Sequence, residues 1–196
     1  MIATLRRPPG FIALLARIDR YGLGAVRRIG STPLNSPVAA FCHLGRGGLV
    51  WFALAPLVGS GRRPLSRLEG SAISVFAIGS ALGGSTAMAR TVSRQRPCDQ
   101  DVRSLIPCPE GGSFPSDQAA ASFAAAEILG WFAPPARQWM LGTAAMLALA
   151  RVAAGVHYPS DVIAGGIVGA AIGRGSRVVA GSRSNRKIKV DPVWAR

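Results

Sequence analysis

The sequence predicts an all-α protein, a polytopic bundle of about five transmembrane helices preceded by an interfacial helix. Three observations predict it. Hydrophobic residues make up 49% of the 196-residue chain and charged residues only 16%, against about 25% charged in an average soluble domain. Residues Gly70–Ala89 carry no charge, and about 20 such residues suffice for a helix to cross the hydrocarbon core. The apolar stretches are rich in Ala and Gly, which lets helix backbones approach closely in lipid.

Each element follows in order. Residues 1–35 form a basic amphipathic segment with no span. In it Phe11, Leu14, Leu15 and Ile18 fall at i, i+3, i+4 and i+7, with Arg17 and Arg20 on the other side, the pattern of a helix lying in the interface. Residues 36–180 form the membrane-embedded domain. Its first span runs over Pro37–Ser60, interrupted by Arg46 and closed by Gly61-Arg62-Arg63-Pro64; the second is Gly70–Ala89. A polar loop, Pro97–Phe114, contains Cys98 and Cys108, whose spacing suits a small disulfide if the loop faces an oxidising compartment. The third span is Ser116–Ala133, with Glu127 inside it, and Pro134-Pro135 turns the chain. The fourth is Gln138–Gly155. The fifth, Asp161–Ala180, bears a GxxxG stripe at Gly165, Gly169 and Gly173, a helix-packing face. Residues 181–196 are expected to be a basic mobile tail.

The formal net charge of +14 raises nucleic acid as a partner. The placement of the charge points elsewhere. The basic residues concentrate at Arg6, Arg7, Arg17, Arg20, Arg27 and Arg28 and again in the C-terminal tail, flanking apolar segments, where anionic headgroups attract them. The expected partners are therefore a bilayer with anionic headgroups and not nucleic acid, and the expected location is a bacterial cell membrane. The spacing of Cys and His fits no metal site, and no cofactor is expected.

Five spans put the loop between spans two and three on the same side as the loop between spans four and five. Ionisable residues cluster at these span ends, and such residues at membrane depth suggest function. Arg96 closes span two, with Arg90 just before it. Ser116, Asp117 and Gln118 open span three. Arg151 ends span four, and His157 and Asp161 bracket the start of span five. Arginines suit the oxygens of a phosphoryl group. A neutral imidazole can attack phosphorus, and a carboxylate four residues on can orient its other nitrogen. Each residue has a plainer reading. Ser116 and Asp161 make good helix N-caps, Arg94 reads as a headgroup anchor, and His43 as a polar interface residue.

Three motifs in this order resemble the type-two phosphatidic acid phosphatase family, related to the vanadium haloperoxidases. The family pattern is KxxxxxxRP, PSGH and SRxxxxxHxxxD. Here the segments read ARTVSRQRP (Ala89–Pro97), PSDQ (Pro115–Gln118) and ARVAAGVHYPSD (Ala150–Asp161). The resemblance implies that Arg96 and Arg151 grip phosphate, with Ser116 and the neighbouring Asp117 and Gln118 amides binding its oxygens. It also implies that His157 forms a phospho-histidine and that Asp161 orients it. Three of the departures from the pattern bear on the reading. Ala89 stands where the family has Lys, with Arg90 adjacent; Ala150 replaces Ser; and Gln118 replaces the His that protonates the leaving group. Gln cannot act as a general acid, a loss of about 10²–10⁴-fold. The resemblance therefore implies a lipid phosphatase, with an isoprenoid or other lipid diphosphate as the favoured substrate because its leaving group needs little help. The alternative is a lipid-phosphate-binding membrane protein of little activity.

Overall fold

Apolar runs with clear caps become helices in the computed structural model, which describes residues 15, 17–24, 35–58, 65–100 and 102–190. These residues contain helices and turns and no strand. A short helix α1 covers 17–24. The first predicted span is two helices, α2 (Asn35–Leu44) and α3 (Leu49–Val58), bent by 40° where the chain passes Arg46. Gly47 and Gly48 sit at that break with φ of 61° and 71°, a region open to Gly and costly for other residues.

The uncharged stretch becomes α4 (Arg67–Val92). A capping box starts it: Glu69 N–H donates to Ser66 Oγ at 3.2 Å and Ser66 N–H donates to Glu69 Oε2 at 2.9 Å. Ser93, at φ 49°, ends it. Then follow α5 (Asp117–Phe132), α6 (Arg137–Ala153) and α7 (Pro159–Val190). Helix α4 and helix α7 are long and apolar enough to cross a membrane, and the bent α2–α3 pair adds a third candidate. Helices α5 and α6 have 16 and 17 residues, about 25 Å at 1.5 Å per residue, somewhat under the hydrocarbon thickness of about 30 Å.

Helix α5 is the hub. Its alanines at 119–121 and 124–126 are fully buried, and it packs on α3, α4, α6 and α7. The stripe of small residues on α7 is the reason the packing is close. A Cβ on Gly165, Gly169 or Gly173 would collide with the backbone of Ser116, Ala120 or Ala124 respectively. The matching four-residue steps on both helices set their register. Trp51 of α3 fastens to the same hub, donating from Nε1 to Ser122 Oγ at 2.9 Å.

The helical ladder of α7 runs ten residues past the expected boundary at 180, to Val190. No proline interrupts it before Pro192, and Arg, Lys, Ser and Asn are tolerated in an exposed helix. Residues 191–196, and Phe11 and Leu14 of the N-terminal pattern, lie outside the described residues.

Candidate active site

The alternation of helix directions brings the end of α4, the start of α5, the end of α6 and the start of α7 to one end of the bundle. The loops 93–116 and 154–158 close over it, and the first is tied by a Cys98–Cys108 disulfide with Cα atoms 5.9 Å apart. The two loops are pinned to each other by a Leu105 N–H to Ala154 carbonyl bond of 3.0 Å.

His157 is 1% exposed at the centre. Its Nδ1 lies 2.9 Å from the Ser113 carbonyl and its Nε2 lies 3.0 Å from Arg96 Nη1. A carbonyl can only accept and a guanidinium can only donate. The imidazole therefore carries its proton on Nδ1 and turns the Nε2 lone pair toward Arg96. Burial pushes the His157 pKa below its ordinary value, and the charges of Arg151 and Arg96 act the same way against Asp161. The neutral ring is the nucleophilic one.

Arg96 is 5% exposed and, besides its contact with His157, is held by backbone oxygens: Nε donates to Gly111, Nη2 to Gly112 and Nη1 to Val156, at 3.0–3.1 Å. Arg151 is buried too, and its Nε has no partner among the described residues. Its charge is felt by Arg96 and His157, and it feels the charge of Asp117 in turn. A polar cavity of about 260 Å³ opens beside His157 and Arg96, with Arg90, Glu110 and Asp117 also in its wall; Arg151 stands behind this wall and does not line it.

The sequence pairs Asp161 with the second ring nitrogen of His157. The structure gives that nitrogen to Ser113, and Asp161 Oδ2 stands 3.6 Å from it, too far for a hydrogen bond. Asp161 Oδ2 accepts instead from the Tyr158 amide at 2.8 Å, which caps α7, and Oδ1 accepts from Arg94 Nη1 at 2.7 Å. Its action on His157 is that of a buried charge. Ser116 Oγ is the N-cap of α5 and accepts from the Ala119 amide. Asp117 faces the cavity. Gln118 does not line it: the amide nitrogen has no partner among the described residues, and a Cβ on Gly45 would collide with it. Arg90, although the neighbour of the Lys position and not its occupant, reaches the cavity wall, as does Ala89.

Sequence reasoning missed four participants. Ser113 contributes only a backbone carbonyl, which leaves no trace in side-chain chemistry, and Glu110 belongs to no motif. Arg94 stacks on the Tyr158 ring, 4.1 Å from its centroid, and bridges two carboxylates, Asp161 and Asp19. Asp19 had a signal. It falls four residues after Leu15, on the apolar face of the N-terminal helix, where an unpaired carboxylate is costly.

A model of the PAP2 superfamily matches residues 70–184 of this chain. The chain belongs to the PAP2 superfamily. Decaprenylphosphoryl-5-phosphoribose phosphatase of Mycobacterium tuberculosis is 31% identical over 191 residues, covering 93% of this chain and 97% of its own. The Mycolicibacterium smegmatis protein of the same name is 34% identical over 127 residues, covering 64% of this chain and 68% of its own. Among solved structures, Aquifex aeolicus LpxE superposes with a TM-score of 0.65 at 24% identity, over 90% of this chain and 98% of its own. The PAP2-type phosphatidylglycerolphosphate phosphatase of Bacillus subtilis superposes with the same score of 0.65 at 19% identity, over 88% of this chain and 92% of its own. These two share the fold. The chain is thus a phosphatase of the PAP2 superfamily, and the PAP2 motifs Arg96-Pro97, Pro115-Ser116 and Arg151…His157…Asp161 all fall at the end of the bundle that holds the cavity.

Proposed function

We propose that this PAP2 protein hydrolyses a lipid phosphate through a phospho-histidine on His157. One observation carries the reading: a buried imidazole of fixed tautomer shares a cavity wall with the buried Arg96 guanidinium, which forms no ion pair among the described residues. An arriving phosphoryl group takes over the Arg96 contact and frees the Nε2 lone pair. Nε2 attacks phosphorus as the bond to the leaving oxygen breaks. Water then attacks phosphorus, the P–N bond breaks, inorganic phosphate leaves and His157 is regenerated. Arg96 and Arg151 hold the equatorial oxygens, with Arg90 at the wall and the amides after Ser116 facing the anion as helix N-termini do. Asp161 stabilises the imidazolium that forms. These residues' own positive charge can serve the transition state.

The leaving oxygen needs a proton, and Gln118 cannot give it. Asp117 is the carboxyl at the cavity that lies in the PSDQ motif, and we assign it this role.

The relatives are named for a phosphatase of a decaprenylphosphoryl 5-phosphoribose. That name supports a phosphosugar carried on a prenyl phosphate as the substrate class here. An apolar groove of about 740 Å³ between α1, α2, α6 and α7, with Phe41, Leu149 and Ile163 in its wall, suits the lipid chain. The second reading, a lipid diphosphate, rests on Gln118, because a phosphate leaving group departs without strong acid help. The membrane domain, residues 36–180, reads as five spans, counting α2–α3 as one. The disulfide in the cavity loop favours an active site on the oxidising side of a bacterial membrane.

The test is phosphate release by purified protein from a prenyl-phosphoryl sugar phosphate, a prenyl diphosphate and phosphatidic acid. His157→Ala is the control, with turnover expected to fall about 10⁴-fold or more. Retained turnover removes the nucleophile assignment. Faster hydrolysis of the diphosphate than of the sugar phosphate selects the second reading. No release from any of the three, with lipid-phosphate binding intact, would favour a binding protein.

A further inference from the structure

Helix α1 contributes nothing to the three motifs, yet its residue Asp19 is 4% exposed and sits at the start of α7. Asp19 Oδ1 accepts from the Ser160 amide at 3.0 Å, and Oδ2 accepts from Ser160 Oγ at 2.8 Å and from Arg94 Nη2 at 2.6 Å. The other terminal nitrogen of Arg94 donates to Ser160 Oγ at 2.8 Å and to Asp161 Oδ1 at 2.7 Å. The result is one chain of alternating charge, Asp19–Arg94–Asp161, that ends 3.6 Å from His157 Nδ1. Gly22, one turn after Asp19, lies against Pro159, and a Cβ there would collide with its ring. The contact thus seats α1 on the first turn of α7.

We propose that Asp19 is a positioning residue of the active site, which acts by holding Arg94 so that Asp161 keeps its negative charge for His157. The inference rests on the reading of His157 as the nucleophile. The physical argument concerns sharing. Arg94 carries one positive charge and is bonded to two carboxylates. With Asp19 present, only part of that charge acts on Asp161, and the buried triad has a net charge of −1. Without the Asp19 anchor, Arg94 closes onto Asp161 and its whole charge acts there. His157 then has no net anion behind it to stabilise the imidazolium, while its positive neighbours remain. Those neighbours are Arg96 from the 93–116 loop, Arg151 from α6 and Arg90 from α4, with Glu110 and Asp117 as the carboxylates across the cavity. The direction is therefore fixed: loss of Asp19 makes the charged form of His157 less favourable. Asp19 also bonds the free Ser160 amide at the N-terminus of α7, so its removal loosens a cap. That cap loss is a structural effect, separable from the charge effect by the choice of variant.

Asp19→Asn keeps the shape and one acceptor oxygen and removes the charge; Asp19→Glu keeps the charge. The chain has two histidines, His43 and His157, so imidazole titration by NMR in detergent micelles is assignable with a His43→Ala reference. In Asp19→Asn the His157 midpoint is expected to fall by about half a unit, less than a charge in direct contact produces. Asp19→Glu is expected to restore most of the shift. In an Arg94→Gln background the same Asp19→Asn change is expected to move the midpoint much less, because the intermediary is gone. In phosphate release, kcat is expected to fall about tenfold with KM within about twofold, and the acid limb to move to lower pH with the midpoint. An unchanged His157 midpoint in a folded Asp19→Asn protein would overturn the proposal, as would an equal shift in the Arg94→Gln background. The titration does not depend on turnover. A protein that shows the shift but releases no phosphate retires the phosphatase reading and leaves the electrostatic link standing. A His157-dependent phosphatase without the shift does the reverse.

Discussion

Two clusters of arginine and carboxylate lie along the same bundle, and they are wired in opposite senses. Well along α5 from the cavity, Glu127 is 3% exposed at its side chain and collects three partners: Arg177 at 2.7 Å, Arg137 at 3.2 Å and Arg174 at 3.3 Å. Its arginines are between 33% and 68% exposed at their side chains, so water helps to carry their charge. There the buried group is the anion, and everything near it serves to neutralise it. At the His157 end the buried groups include cations, Arg96 and Arg151, and among the described residues no carboxylate forms an ion pair with them. Asp19 and Asp161 are both committed to Arg94, while the Arg96 side chain receives backbone oxygens and Arg151 Nε receives nothing among the described residues. Neutralised charge cross-links helices; cationic charge without an ion pair is what the proposed phosphate-binding role uses. The number of charges does not distinguish the two ends, but the pairing does.

The largest break in this comparison comes from removing the unneutralised cations. Arg96→Gln or Arg151→Gln is expected to lower kcat/KM by about 10²–10³-fold, the scale of losing one transition-state donor. Stability should change little in Arg151→Gln, whose cation has no carboxylate partner among the described residues, and should fall in Arg96→Gln, which leaves the Gly111, Gly112 and Val156 carbonyls short of a donor; phosphate release and thermal melting of the same sample read both. Next, Asp117→Asn is expected to slow an alkyl phosphomonoester by about 10²-fold and a diphosphate only a few-fold, since general acid help matters in proportion to the basicity of the leaving oxygen. Equal losses on both substrates would assign Asp117 to binding instead. Glu127→Gln belongs to the other cluster. It is expected to lower stability by about 1–3 kcal/mol, a range set low because its arginines are partly in water, with kcat/KM within about twofold. A large activity loss without destabilisation would erase the distinction between the two ends. The smallest effect concerns pH. In the proposed mechanism His157 attacks as the neutral ring, and burial with two arginines lowers its pKa. Activity should therefore hold as the pH drops through the ordinary imidazole value of about 6.5 and decline only below it, which a pH–rate profile of kcat/KM checks.

Much of this was legible in the residues. Helices α4 and α7 announce themselves by uncharged length and by the Gly165–Gly169–Gly173 stripe, because the requirement to satisfy backbone groups in lipid leaves few alternatives. Arg96, Arg151, His157 and Asp161 sit in motifs whose spacing on helix ends is enough to place them near one another. The break at Gly45–Gly48 was marked by Arg46 in an apolar run. By contrast, α7 runs past its expected end, because nothing in residues 181–190 forces a stop.

By itself the sequence determined the helical class, the family and the residue types that meet at one end of the bundle, since periodicity, hydropathy and motif spacing are local properties of the chain. Only the tertiary structure decided who bonds to whom. It handed His157 Nδ1 to a backbone carbonyl at Ser113 and turned the Gln118 amide against Gly45. It also routed Asp161 through Arg94 to Asp19, 142 positions earlier in the chain. Hydrogen bonds and buried charges act over a few ångströms in space, and separation along the sequence carries no measure of that distance until the helices have packed.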